Sequence, residues 1–231
     1  MSDRPAARAR TPGACSTEAV AEYYAARVAE YDAAAGYQDP GAEQRRASVK
    51  TRFRATLRGL DVLEIACGTG YWTAVIAAAA RSVVAVDLEP AMVTAAEQRL
   101  SAFANVRCVV ADAYSLDGLA GPFNAAFAHW WWSHVPKSRL RPFLTTLHTK
   151  LRPGAVVLFA DQLPYAGEAR RRDEEGNTLE MRTLQNGAGF EIVKNFPTQP
   201  ELVHVLRGIA RAVVYRTFTN EGRWTVTYNT R

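Results

Sequence analysis

The chain has 231 residues, of which 48% are hydrophobic, and its formal charge is +5. A chain of this length can bury one substantial core, so we expect one domain and not two. No apolar run reaches the roughly 20 residues of a membrane span, and no apolar segment follows the Arg/Ala-rich start, which argues against secretion. Three scattered cysteines without a CxxC spacing predict a reduced, cytoplasmic protein with neither a disulfide framework nor a metal site.

A net positive charge is typical of proteins that bind nucleic acid, but the distribution of the charge along this chain argues against such a partner. Several arginines lie in or near the chain ends, and the run Arg170-Arg171-Arg172 is followed at once by Asp-Glu-Glu. No long basic stripe with interleaved aromatic residues is present. We therefore expect no nucleic-acid partner.

The N-terminal region is predicted to be a disordered tail over residues 1–15, followed by two helices. The first covers 16–35, because apolar and tyrosine residues recur there at helical spacing. These residues are Val20, Tyr23, Tyr24, Val28 and Tyr31. The second covers about 42–58 and is strongly basic on one face, which carries Arg45, Arg46, Lys50, Arg52 and Arg54.

From residue 61 the pattern changes to short apolar strands that alternate with helices. Strands are predicted at 61–67, 82–87, 106–112, 123–130 and 155–161. The helices between them cover 71–80, 90–103 and 136–151, the last with its first turn ending at Pro142. This alternation predicts a parallel sheet covered on both faces.

The last third of the chain has a different pattern. Residues 181–194 predict a hairpin that turns at Asn186-Gly187, and a helix follows at about 198–210. Residues 211–230 predict a closing antiparallel pair of strands around Asn220-Glu221-Gly222.

The segment LEIACGTGYW (63–72) places a carboxylate inside a strand and two glycines just after it. Glycines at the carboxyl end of a strand allow the backbone to approach a ligand closely. The pattern is neither GxGxxG nor a GK[ST] loop, so both nucleotide fingerprints fail. A buried Glu64 would repel a pyrophosphate but suits a cationic ligand.

Three markers in order resemble the class I S-adenosylmethionine (SAM)-dependent methyltransferases. The first is ExxxGxG, here Glu64 to Gly70; the second is an acid that ends strand two, here Asp87; the third is Asp112 with Ala113 in ADAYSL. The resemblance implies a Rossmann-like seven-stranded sheet with an antiparallel C-terminal hairpin, and SAM as the cofactor. The cofactor residues that it implies are Glu64, Ala66, Gly68, Gly70, Trp72, Asp87, Leu88, Met92, Asp112 and Ala113, with Tyr24 and Tyr31 from an N-terminal lid.

Four further runs resemble a bacterial natural-product subgroup of these enzymes: YYAARVAEYDAAAGY, GTGYWT, FAHWWWSHVP and RTLQNGAGFEIVK. The subgroup includes the phosphonate O-methyltransferase of dehydrophos biosynthesis and the toxoflavin-type N-methyltransferases. The resemblance implies that Tyr37, Arg182 and Lys194 hold an anionic acceptor. Independently, the hairpin brings the two cations near one another, where they repel unless an anion separates them. The alternative is a solvated, charged hairpin edge.

His129 closes strand four, where cofactor and acceptor meet in this fold, and it is a candidate polar contact or general base. The alternative is a core histidine that hydrogen-bonds to the backbone. His134 is a second candidate contact, or it shapes the turn before Val135-Pro136.

The run Trp130-Trp131-Trp132 follows His129. Strand alternation would send Trp131 one way and its neighbours the other, so at least one ring belongs to the core. Trp130 or Trp132 could instead form a stacking wall for a planar acceptor.

The sequence thus predicts one methyltransferase domain over 16–231, with lid helices at 16–58, a SAM-binding core at 60–165 and an acceptor-side hairpin at 178–196. The expected reaction is O- or N-methylation of a small anionic or planar heteroaromatic metabolite, by a monomer or weak homodimer without a metal or a membrane. An RNA or protein methyltransferase is a second hypothesis, suggested by the basic helix and disfavoured by AHWW where an NPPY-type motif would stand. A non-catalytic SAM-binding sensor is a third.

Overall fold

The computed structural model describes residues 17–166 and 170–231, so the predicted tail over 1–15 lies outside the described residues. The N-terminal region forms α1 (Thr17–Ala26), a one-turn 3-10 helix (Val28–Glu30) and α2 (Tyr31–Ala34). The expected single helix over 16–35 is wrong, because the backbone leaves the helical region at Arg27 (φ −107°, ψ 6°). The Arg27 guanidinium lies over the rings of Tyr24 and Tyr31, which pack 6.0 Å apart across the break.

Helix α3 (Pro40–Leu57) begins where Asp39 accepts a hydrogen bond from the backbone N–H of Gly41. Its basic face is only partly a solvent face. Arg46 is buried and donates to the carbonyl oxygens of Ala35 and Gly36, at 2.8 Å each. This helix therefore uses part of its charge to hold the N-terminal segment.

The central sheet contains the strands β1 (Asp61–Ile65), β2 (Ser82–Asp87), β3 (Val106–Val110), β4 (Phe123–His129), β5 (Leu151–Gln162), β9 (Ala210–Phe218) and β10 (Arg223–Thr230). Their order in the sheet is β3-β2-β1-β4-β5-β10-β9. The first five strands along the chain are parallel, and β10 pairs antiparallel with both β5 and β9, so the expected fold class is confirmed. The helices are α4 (Tyr71–Ala77), α5 (Pro90–Leu100), α6 (Lys137–Thr149) and α7 (Gln199–Leu206).

Two apolar cores cover the two faces of this sheet. One contains Leu63 and Ile65 of β1 with residues of α6 and α7, and the other contains Val62 with residues of α3, α4 and α5. Helix α6 continues through Pro142, as predicted for a helix over 136–151, and its first turn does not end there. The proline removes the N–H that would bond to the Ser138 carbonyl, but both residues are exposed, so water can replace it.

A second, separate sheet has three antiparallel strands, which pair in chain order. Its strands are β6 (Arg170–Arg172), β7 (Thr178–Thr183) and β8 (Gly189–Val193), so the expected hairpin is present and β6 is an addition. In the register Arg182 lies opposite Phe190, and the N–H of Lys194 bonds to the Thr178 carbonyl. Arg182 and Lys194 therefore share one face of the sheet, at opposite ends of the hairpin.

Candidate active site

The turn after β1 depends on positive φ angles at Ala66 (53°), Gly68 (55°) and Gly70 (79°). A Cβ atom on Gly70 would lie 3.1 Å from the Cα atom of Ala96, so glycine lets α4 begin close against α5. Gly70 is therefore a packing residue of the turn, whereas Gly68 lines the adjacent cavity.

Asp87 ends β2 beside this turn. Its Oδ2 accepts the N–H of Gly68 at 2.8 Å, and its Oδ1 accepts the N–H of Glu89 at 3.0 Å. Burial raises the pKa of this carboxyl. The two backbone N–H groups fix the plane of the carboxylate at the cavity wall, where further lone pairs can accept from ligand hydroxyls.

A cavity of about 350 Å³ opens at the carboxyl ends of β1, β2, β3 and β4. Pockets of this size hold drug-sized ligands, and the carboxyl edge of a parallel sheet is where such ligands bind. Nine of the twelve expected cofactor residues line it: Tyr24, Tyr31, Ala66, Gly68, Asp87, Leu88, Met92, Asp112 and Ala113. Sequence reasoning missed Tyr114, Trp131 and Arg139 on the same wall, although Tyr114 directly follows the third marker.

Three expected cofactor residues lie behind the cavity wall: Glu64, Gly70 and Trp72. The indole of Trp72 stacks on the ring of His129 with centroids 4.2 Å apart, so it supports the wall from the rear. Glu64 is 2% exposed, and its Oε2 has no hydrogen-bond partner among the described residues. Burial raises the pKa of Glu64 to about 8, so the carboxyl is largely protonated at neutral pH without a cationic ligand.

The buried Glu64 predicts a pH-dependent stability difference in the Glu64→Gln variant. The unfolded carboxyl ionises above its ordinary pKa of 4.5, whereas the folded one keeps its proton up to about 8. Wild-type stability therefore falls as pH rises through this window, while glutamine does not titrate. Between about pH 5 and about pH 7, the free energy of unfolding of the variant should rise relative to wild type by roughly 2–3 kcal/mol. Urea denaturation of the ligand-free proteins measures this difference, and a pH-independent difference contradicts it.

His129 lies at the end of β4, is 7% exposed and lines the cavity. Its Nε2 is 2.8 Å from Nη1 of Arg223, and its Nδ1 is buried without a hydrogen-bond partner in the described part of the chain. Burial, followed by the charge of Arg223, lowers the pKa of His129 well below its ordinary value. The ring is therefore neutral at physiological pH.

His134 is also buried, and both of its ring nitrogens are bonded. Nδ1 is 2.8 Å from the carbonyl oxygen of Val193, and Nε2 is 2.8 Å from the hydroxyl of Tyr24. Burial, followed by the charge of Lys194, lowers its pKa well below the ordinary value. His134 thus connects α1 to the hairpin.

A second cavity of about 110 Å³ adjoins the first one. Tyr24, Tyr31, Trp130 and His134 line both cavities. Three cationic residues contribute to the wall of the second cavity: Arg27, Arg182 and Lys194. The structure therefore brings the two expected acceptor cations to one cavity and adds Arg27, which sequence reasoning missed.

The two expected cations already have carboxylate partners. Arg182 contacts Glu180 at 2.5 Å and donates to the Tyr165 hydroxyl at 2.5 Å, while its Nε is buried without a hydrogen-bond partner within the described ranges. Lys194 is 2% exposed, donates to the Ser133 hydroxyl at 2.9 Å and lies 3.7 Å from Asp161. The argument that only a bound anion could separate these cations is therefore wrong, because internal carboxylates also do so.

The aromatic candidates divide between core and cavity. Trp132 is 2% exposed and packs against Phe159 and Trp224, so it belongs to the core and lines neither cavity. Trp130 lines both cavities with a backbone φ of 61°, an unusual conformation for a bulky residue. Tyr37 lines neither; its ring stacks on Tyr71 with centroids 3.8 Å apart and is nearly parallel to that of Trp130.

Within residues 17–166 and 170–231, no group of three or more His, Cys, Asp or Glu side chains could hold a metal ion. In the same ranges, none of the helices combines the length and apolar composition needed to cross a bilayer. That the reaction needs no metal stays a prediction.

The residues that line the cofactor cavity fit SAM. Asp87 presents a fixed carboxylate for ribose hydroxyls, apolar Leu88, Met92 and Ala113 suit an adenine ring, and Gly68 leaves room for the ligand beside Tyr31. With the sheet order and the antiparallel C-terminal pair, these features define a class I methyltransferase. The chain belongs to the SAM-dependent methyltransferases, with SAM as its cofactor.

Comparisons with known proteins agree. The methyltransferase domain family matches residues 62–154. The solved DhpI–SAM–HEP complex is 30% identical with a TM-score of 0.75, covering 94% of this chain and 99% of that one. The DhpI–SAH complex is 30% identical with a TM-score of 0.73, covering 93% and 96%. A malonyl-[acyl-carrier protein] O-methyltransferase of Serratia marcescens is 26% identical over 208 residues, or 83% of this chain and 78% of that protein.

The position of α1 predicts a response to the cofactor. Val20, Ala21 and Tyr24 of this helix form part of the cofactor cavity wall, as expected of a lid that closes over the ligand. Backbone hydrogen exchange over residues 17–37 should therefore slow in the presence of S-adenosylhomocysteine (SAH). Residues 210–218 of β9, which do not line the cavity, are the internal control. Equal exchange over residues 17–37 with and without SAH would reduce Tyr24 and Tyr31 to packing residues.

Proposed function

We propose that the protein transfers the methyl group of SAM to an oxygen of a compact, anionic small molecule, in the biosynthesis of a bacterial secondary metabolite. The observation that carries this proposal is the second cavity, where three cationic side chains meet beside the cofactor cavity. At about 110 Å³ it has roughly a third of the volume of its neighbour at about 350 Å³, which favours a small acceptor. The resemblance to the phosphonate O-methyltransferases supports the same class of acceptor.

The charges around this cavity favour an anion even after the internal ion pairs are counted. Asp161 balances the charge of Lys194. Glu180 pairs with both Arg170 and Arg182, so one carboxylate faces two guanidinium groups and one positive charge is left over. Arg27 adds a further charge from the segment that follows α1.

Arg27 is an unusual residue for a cavity wall. It donates to the neutral Tyr23 hydroxyl at 2.5 Å, and its Nε is buried without a hydrogen-bond partner in the described part of the chain. An anionic acceptor would satisfy the buried N–H groups of Arg27 and Arg182 together. Binding of the acceptor would then also hold α1 in its closed position.

Methyl transfer from SAM requires the protein mainly to position the two reactants and to exclude water. Bound SAM supplies an electrophilic methyl group on a sulfonium sulfur. An ionised acceptor oxygen forms a bond to the methyl carbon as the carbon–sulfur bond breaks, and the electron pair stays on sulfur, which gives a methyl ester and SAH. Tyr24, Tyr31 and Trp130 line both cavities and shield this step from water. Arg27, Arg182 and Lys194 orient the anion.

N-methylation of a planar heteroaromatic acceptor, such as a toxoflavin-like azapteridine precursor, is the second candidate. Trp130 supports it, because its ring lies at the boundary of both cavities and could stack on a planar ligand. Trp132 gives no support, because it is enclosed in the core. Of the two candidates, the small charged cavity favours the anion.

A macromolecular acceptor has less support. Part of the basic face of α3 is turned inward, since Arg46 is buried and Arg54 donates to the Val75 carbonyl at 3.1 Å. The relative from Serratia marcescens is named for a malonyl group on a carrier protein, so a carboxylate carried by a larger partner is a useful member of any acceptor panel.

Turnover with a panel of acceptors tests the proposal. The panel should contain a small phosphonate, a small carboxylate, a malonyl-carrier protein, a planar N-heterocycle and a neutral alcohol. We expect SAH release and methylated product with the phosphonate or the free carboxylate, and none with the alcohol. Turnover of the heterocycle alone supports the N-methyltransferase instead, and turnover of the carrier-bound substrate alone moves the acceptor class to a carboxylate on a protein. If the protein binds SAM but releases SAH with no acceptor of the panel, the result supports the sensor hypothesis.

A further inference from the structure

The hydrogen bond between Arg223 and His129 determines which ring nitrogen of His129 carries the proton. A guanidinium has five N–H donors and no acceptor, so Arg223 Nη1 donates across the 2.8 Å contact and His129 Nε2 accepts. In the neutral imidazole the single proton is then on Nδ1. This nitrogen is the one that lacks a partner among the described residues.

Among the described residues, the charged groups that lower the pKa of His129 are three cations. Arg223 comes from β10, Arg46 from α3 and Lys194 from the end of β8. The carboxylate of Glu221 lies 3.0 Å from Nε of Arg223 and forms an ion pair with it. An imidazolium at His129 would place another positive charge among these cations, so the ring stays neutral.

His134 has its basic nitrogen occupied by a different partner. The carbonyl oxygen of Val193 can only accept, so Nδ1 carries the proton and donates to it. Nε2 then accepts from the hydroxyl of Tyr24. The charged groups facing this ring are Lys194 and Arg182 from the hairpin and Arg27 from the segment after α1, which again disfavour a proton on Nε2.

We propose that Arg223 and Tyr24 are positioning residues that occupy the basic nitrogens of His129 and His134, so that the site removes no proton and takes an oxyacid that arrives already ionised. Among the described residues that line the second cavity there is no Asp or Glu to serve as an alternative base. The Nδ1–H of His129 is left as a hydrogen-bond donor, and its role is to bind a ligand oxygen. The inference rests on the proposed function and narrows the acceptor to acids such as phosphonates and carboxylates, excluding unactivated alcohols.

The first test reads the tautomers directly. Histidine labelled with ¹⁵N should show, for His129 and His134, a protonated Nδ1 and an unprotonated Nε2 between about pH 6 and about pH 8, with and without SAH. The chain has four histidines, so His129→Asn and His134→Asn identify the two sets of signals. Arg223→Met should move the His129 proton toward Nε2. An Nε2–H tautomer or an imidazolium in the wild-type protein overturns the proposal, whether or not the Arg223 variant folds.

The second test separates a donor from a base at position 129. An asparagine places an N–H near the position of Nδ1 but cannot accept a proton, whereas alanine removes both functions. We expect kcat/KM of His129→Asn to exceed that of His129→Ala by at least about tenfold. An equal loss in both variants, or no loss in either, overturns the donor role.

The third test uses two anionic acceptors with different pKa values. The acidic limb of kcat/KM against pH should shift with the pKa of the acceptor and stay unchanged in His129→Asn. If the acidic limb of the kcat/KM profile has the same pKa for both acceptors and disappears in His129→Asn, an enzymatic base is identified and the proposal is overturned. The tautomer measurement needs no acceptor, so it still decides the state of the histidines if the proposed acceptor class itself is wrong.

Discussion

Replacing Asp87 with alanine is expected to weaken SAM and SAH binding by roughly ten- to hundred-fold, which corresponds to about 1.5–3 kcal/mol. The carboxylate lies on the wall of the cofactor cavity, and the N–H groups of Gly68 and Glu89 fix its orientation. The substitution removes the carboxylate that we expect to accept from two ligand hydroxyls, and it also leaves the N–H groups of Gly68 and Glu89 without their partner. Isothermal titration calorimetry with SAH measures the loss.

The matched control is Asp117→Ala, which removes an exposed carboxylate that does not line the cavity. Its SAH affinity should equal that of wild type. Circular dichroism and thermal unfolding establish that each variant is folded. Unchanged affinity in a folded Asp87→Ala protein contradicts the role assigned to Asp87.

Arg182→Ala is expected to lower kcat/KM for the anionic acceptor by at least about tenfold, with SAH affinity barely changed. Arg182→Lys keeps the charge but loses the planar fork, so it should raise the acceptor KM more than it changes kcat. The fold should tolerate both changes, because Glu180 retains its contacts with Arg170 and the Tyr165 hydroxyl. Steady-state kinetics with the acceptor found in the panel measures both effects.

Arg171→Ala is the control for Arg182, since Arg171 lies in the same small sheet, pairs with Glu191 and does not line the second cavity. Replacing Lys194 is expected to lower kcat/KM for the anionic acceptor by at least about tenfold as well. The replacement also leaves the buried Asp161 without its cation. Lys194→Met is therefore interpreted only alongside its measured stability. Normal kinetics in the Arg182 and Lys194 variants, together with lost activity in Trp130→Ala, would make the heteroaromatic N-methyltransferase the leading hypothesis.

Much of the fold was predictable because its signals are local. The strand at 82–87 was predicted at its observed bounds, and the hairpin turn and the antiparallel closing pair were predicted from short turn motifs. The ordered markers Glu64 to Gly70, Asp87 and Asp112 indicated the cofactor, since each lies at or just after the end of a strand that the sequence pattern alone identifies. The break at Arg27 was missed, because the spacing of the tyrosines is equally compatible with a straight helix.

Only the tertiary structure decided the protonation and hydrogen bonding of each functional group, because the side chains that bond to these groups lie far away along the chain. His129 meets Arg223 94 residues later, and Tyr24 meets His134 110 residues later. Sequence spacing cannot reveal such pairs. The sequence by itself determined the class of enzyme and its cofactor, through motifs within single strand–turn–helix units. The folded chain decided which nitrogens are occupied and which charges are already paired, since hydrogen bonds and burial depend on packing between distant segments.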